Sequence, residues 1–152
     1  MAAVVDPSTT FEQLYQRERQ PMVRVAYLIT RSRPLADEIV HDAFATLLER
    51  WDSVGAPGGY LRTVVVRAAV AARRREWRRP PLTDPVVADA PSDVEDIKVA
   101  LGTLPARQRA ALVLRFYLDL PFEDVGAALG CPAVTARSLV HRGLDTLRKE
   151  LR

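Results

Sequence analysis

Apolar side chains recur at three- and four-residue spacing along most of the chain, and breaks in that rhythm mark where helices begin and end. Phe11, Leu14, Tyr15, Met22, Val25, Ala26, Leu28 and Ile29 predict a helix over 11–30, with a break or kink near Pro21, which lacks a backbone N–H. Ile39, Val40, Ala43, Phe44, Leu47, Leu48 and Trp51 predict a second helix over 35–51. Asp37, Glu38, His41, Asp42 and Glu49 surround its apolar face, and the early acids complement the positive end of the helix dipole. Asp52 to Gly59, with Gly55, Pro57, Gly58 and Gly59, reads as a loop. A third helix, from Leu61 to about Arg79, puts Leu61, Val64, Val65, Ala68 and Ala72 on one face. Arg67, Ala71, Arg74 and Arg78 align opposite, flanked by Val70 and Trp77.

The rhythm then stops. Four prolines between Pro80 and Pro91, with few large aliphatics, read as an extended linker. Helical spacing resumes near Asp93: one helix to about Thr103, a turn at Leu104-Pro105, and another helix to about Leu118. Pro121 to Arg152 reads as two helices joined by a tight turn. Phe122, Val125, Ala128 and Leu129 share a face, and Gly130 follows where a helix end favours positive φ. Pro132 suits the opening turn of the last helix. Ala133, Ala136, Val140, Leu144, Leu147 and Leu151 form its apolar stripe. Thr135, Ser138, Arg142 and Lys149 lie opposite, with Arg137, His141 and Arg148 on the flank. Such a helix can enter a major groove, although an ordinary surface helix pair carries the same pattern. Strand-like alternation and internal repeats are absent. The fold class is therefore all-α: two small helical domains, 10–79 and 93–152, joined by a Pro-rich acidic linker at 80–92, the second ending in a helix-turn-helix.

Charge distribution adds more than the net value of +3. Tyr60 to Arg79 holds seven arginines against one acid, Glu76, whereas Pro80 to Ile97 holds five acids and no base. That contrast suggests a nucleic-acid surface beside a segment that avoids nucleic acid or imitates it. A single cysteine, Cys131, excludes an intramolecular disulfide and fits a reducing compartment. No apolar run approaches a membrane span, and the N-terminus lacks a secretory pattern, so the expectation is a cytoplasmic protein without membrane insertion. The two histidines, His41 and His141, one cysteine and no phosphate-cradling glycine loop or zinc-ligand spacing argue against an enzyme, a cofactor or a metal.

The order of the parts is more specific than any one of them. Ala36-Asp-Glu-Ile-Val-His-Asp-Ala-Phe44, Leu104-Pro-Ala-Arg-Gln-Arg109, and Leu129-Gly-Cys131 with Thr135-Ala-Arg-Ser138 beyond it resemble the extracytoplasmic-function (ECF) type of bacterial RNA polymerase sigma factor. The resemblance covers roughly residues 10 to 150. It implies a non-enzymatic subunit that binds core RNA polymerase, recognises the minus-10 and minus-35 elements of promoter DNA, and directs initiation. By the same resemblance, Asp37, Glu38, His41 and Asp42 dock on the polymerase. Arg67, Arg74, Trp77 and Arg78 bind and open the minus-10 element, beside the 52–59 loop that helps receive a flipped base. Thr135, Arg137, Ser138, His141 and Arg142 bind the minus-35 element, Thr135 through a phosphate. The linker threads toward the RNA exit path, and an anti-sigma factor joins the candidate partners. Four positions depart from the family pattern: His41 for a usual glutamine, Arg67 for asparagine, Ala71 for aspartate, and Leu139 for a second basic residue. The usual asparagine-based recognition of the flipped base does not carry over. An alternative is a stand-alone helix-turn-helix regulator with a helical dimerisation or effector domain, which leaves the acidic and Arg-rich helices unexplained.

Overall fold

The computed structural model describes the backbone of residues 9–76 and 99–150 and the side chains of 9–73 and 99–150. Six principal helices run through those segments: α1 (Phe11–Thr30), α2 (Arg33–Glu49), α3 (Pro57–Glu76), α4 (Ala106–Leu112), α5 (Phe122–Leu129) and α6 (Ala133–Glu150). A 3-10 turn, Trp51–Ser53, follows α2, and a wider π turn, Val113–Tyr117, continues α4. Residues 99–102 are also helical. The expected linker, 80–92, lies outside the described residues.

A reciprocal cap starts α1. Thr10 Oγ1 accepts from the Gln13 N–H at 3.2 Å, and Gln13 Oε1 accepts from the Thr10 N–H at 3.0 Å. The helix runs through Pro21 as one continuous element, so of the expected break or kink the break does not occur. Pro21 gives up a backbone hydrogen bond, yet Leu14 before it and Met22, Val23, Val25 and Ala26 after it are all buried. Packing on both sides outweighs the local cost. Arg31, with φ 61°, turns the chain, and Ser32 caps α2 by accepting from the Leu35 N–H at 3.3 Å. Edge-on aromatic contacts pin the start of α1 to the end of α2: Phe11 to Trp51 at 5.6 Å and Tyr15 to Phe44 at 4.9 Å between ring centres.

The third helix begins earlier than its spacing suggests. The Tyr60 N–H bonds Ala56 O at 3.0 Å, so 57–59 form a first turn with proline at its opening position. Its buried face also differs. Leu61, Val65, Val66, Ala69 and Val70 are buried, whereas Val64, Ala68 and Ala72 are only half-buried. Four helices, α1, α2, α4 and α5, pack against α3 and demand a broader apolar face than the single stripe expected of it.

The helix-turn-helix closes through two glycines. Gly130 ends α5 at φ 73°, and a Cβ on Gly126 would lie 2.5 Å from the Cys131 carbonyl oxygen. The chain can pass this close only because Gly126 has no side chain. Pro132 O then accepts from the N–H groups of Thr135 and Ala136 at 3.0 Å, opening α6. The two helical units pack on each other, α3 against α5 and α1 against α4, and their buried side chains form one continuous cluster.

Candidate nucleic-acid and partner interfaces

The cap at Ser32 fixes the register of α2, sending Ala36, Ile39, Val40, Ala43, Phe44 and Leu47 inward. Asp37, Glu38, His41 and Asp42 are consequently all exposed. Among the described residues, none of these carboxylates is held in an ion pair. Leu48, expected in the apolar face, is instead 56% exposed. It stands seven residues beyond His41, near the same outer side. The result is a rigid acidic ridge with one open aliphatic residue.

On the last helix, Ala136, Leu139, Val140 and Gly143 are buried, while Arg137, Ser138, His141 and Arg142 are exposed and Thr135 is half-buried. The structure thus brings all five expected readers to the outer side of one helix. Leu139 belongs to the buried stripe, three residues after Ala136, so its departure from the family pattern serves packing. Val134, Thr135, Ser138, Leu139 and Arg142 line a shallow groove. Val134, unremarked in the sequence, is 70% exposed there. Its spacing of four and eight residues from Ser138 and Arg142 was the available signal.

Phe122, expected only as an apolar-face residue, and Arg115 make contacts beside these residues. The Arg137 guanidinium lies 5.1 Å from the centre of the Phe122 ring, and that of Arg115 lies 4.9 Å from it. Arg115 Nη1 donates to Leu120 O at 3.1 Å and stands 4.0 Å from Asp119 Oδ1. No periodicity reports such a column, because its members come from three separate elements.

Arg67 is exposed on α3, but its guanidinium is engaged. Its Nε donates to Ala128 O and its Nη2 to Ala127 O, both at 3.2 Å, at the carbonyl end of α5. A cation suits that negative helix end. The backbone of Arg74 continues α3; its side chain, like Trp77 and Arg78, lies outside the described residues.

A second arginine joins the units from within. Arg109 is fully buried, donating from Nη1 to Ile29 O at 2.6 Å and from Nη2 to Leu104 O at 3.3 Å. Burial, reinforced by Arg73 and Arg31, lowers its pKa to about 9. It closes the Leu104-Pro-x-x-x-Arg109 segment, so that motif marks an internal brace. Among the described residues, no cluster of His, Cys, Asp and Glu could hold a metal, and no helix is long and apolar enough to cross a membrane.

These features define an all-helical, two-part protein with a helix-turn-helix. The sigma-70 region 2 model matches residues 14–79 and the sigma-70 region 4 model residues 100–149. The ECF RNA polymerase sigma factor SigM of Mycobacterium tuberculosis is 30% identical, over 99% of this chain and 81% of its own. The RNA polymerase sigma-E factor of Streptomyces antibioticus is 28% identical, over 93% of this chain and 84% of its own. The sigma factor RpoE from Bartonella quintana, solved in complex with the anti-sigma factor NepR, shares the fold. Its TM-score is 0.76 at 23% identity, covering 93% of this chain and 96% of RpoE. The chain belongs to the ECF family of RNA polymerase sigma factors.

Proposed function

We propose that the chain acts in the cytoplasm as a promoter-specificity subunit, without catalysing a covalent reaction itself. It docks on core RNA polymerase through Asp37, Glu38, His41 and Asp42. Exposed acids on a stiff helix favour encounter and register with a basic partner surface. The N-terminal unit, 10–79, binds and melts the minus-10 element through Arg67, Arg74, Trp77 and Arg78. The C-terminal unit, 93–152, presents Thr135, Arg137, Ser138, His141 and Arg142 to the minus-35 element, with 80–92 as tether. The observation that carries this reading is the shared outer side of the five α6 residues, above a buried Ala136, Leu139, Val140 and Gly143 stripe.

Promoter engagement separates the two units. The elements are centred roughly 25 base pairs apart, about 85 Å of duplex at about 3.4 Å per pair. Here, however, Arg67 on α3 touches the carbonyl end of α5. Opening frees its guanidinium for phosphate. An anti-sigma factor, the kind of partner bound to the Bartonella quintana RpoE, is a further partner for this chain.

Core polymerase retained on immobilised full-length chain tests the docking assignment. The combined change of Asp37, Glu38 and Asp42 to alanine should weaken retention at least tenfold; unchanged retention refutes the assignment. A stand-alone regulator would retain no polymerase at all.

A further inference from the structure

We propose that Phe122 is a positioning residue for base recognition, holding the Arg137 guanidinium against its ring and so setting discrimination at the base pair Arg137 reads. The inference deepens the minus-35 reading and rests on it. Phe122 opens α5 and is half-buried, with Arg137 over its ring at 5.1 Å and Arg115 at 4.9 Å. Arg115 is itself anchored by Leu120 O at 3.1 Å, so the ring is flanked by a fixed cation. Arg137 is exposed, and among the described residues no hydrogen bond or ion pair occupies its N–H groups.

A guanidinium offers two distinct surfaces, its planar face and its N–H edge. A ring engages its face, whereas guanine O6 and N7 accept from its edge, so stacking leaves the recognition donors available. An exposed arginine without the ring must be immobilised when it meets a base. Phe122 restricts it beforehand, and it does so from the other helix of the helix-turn-helix.

The test uses holoenzyme assembled from core polymerase and the full chain, competed against promoter duplexes with single base-pair changes across the minus-35 element. Arg137→Ala should abolish discrimination at one base pair. Phe122→Leu should lower discrimination at that same pair about two- to fivefold and leave the others unchanged. Phe122→Tyr, which keeps the ring face, should retain it, and Phe122→Leu with Arg137→Ala should match Arg137→Ala alone. Phe122→Met replaces the leucine variant if thermal melting shows the latter unfolded. The proposal is overturned by intact discrimination in the ring-deleted variant, by equal loss at every pair, or by failure of the tyrosine variant to retain it. An Arg137→Ala holoenzyme with wild-type discrimination throughout also overturns it. In each case, wild-type holoenzyme that still initiates from the promoter leaves the sigma-factor reading intact; no initiation defeats that reading instead.

Discussion

Replacing Arg109 with alanine tests the brace between the two units. Its side chain is fully buried and serves two carbonyls, Ile29 O at 2.6 Å and Leu104 O at 3.3 Å. Alanine leaves both without this donor, at about 1–3 kcal/mol each when buried. It also empties the volume of the side chain. Against this, the substitution removes a guanidinium whose pKa is lowered to about 9 by burial and neighbouring arginines, so a costly buried charge disappears. The unsatisfied carbonyls and lost packing should win, for a net loss of about 2–4 kcal/mol. For a chain of 152 residues that corresponds to a fall in Tm of roughly 6–14 °C. Lysine, a point charge without the planar fork, can serve one carbonyl but not both and should fall between alanine and wild type. Because the brace joins α1 to the C-terminal unit, Arg109→Ala should also broaden or divide the calorimetric transition relative to wild type. A Tm within 1 °C of wild type and an unchanged transition would refute the reasoning.

Other substitutions address separate parts of the account. Gly126→Ala forces a Cβ to 2.5 Å from Cys131 O and should cost about 1–3 kcal/mol, read by urea unfolding; no shift in midpoint would mean the turn yields. Leu139→Ala should cost about 2 kcal/mol or more in the same measurement, because its side chain is only 9% exposed; a neutral result would restore a surface role. Arg67→Ala removes two partly exposed contacts worth about 1 kcal/mol together, so the closed arrangement of the free chain should loosen about fivefold. Energy transfer between dyes on the outer sides of α2 and α6 would report this, and an unchanged distance distribution would remove Arg67 from the contact.

The helices were largely legible because a buried stripe must repeat at helical spacing, and Ala36 to Leu47 and Ala136 to Val140 obey that rule. The helix-turn-helix was clear for a local reason: Gly130 has the positive φ its position required. Elsewhere tertiary packing overrides local preference. Pro21 sits inside a continuous helix, and α3 buries Val66, Ala69 and Val70 because several elements pack around it. The exposed α6 residues proposed to read the minus-35 element follow from the stripe beneath them. Arg67 on α5, Arg109 on Ile29 O and the Arg115–Phe122–Arg137 column do not, since each joins residues from different elements. The capping box at Thr10 and Gln13 is also legible in residue type and spacing.

Run-off transcription with purified core polymerase and a randomised promoter library tests the central claim most directly. Added chain should direct initiation from a subset of templates that share two sequence blocks, one near minus-10 and one near minus-35. Initiation from no template, with intact chain still bound to core polymerase, would contradict it.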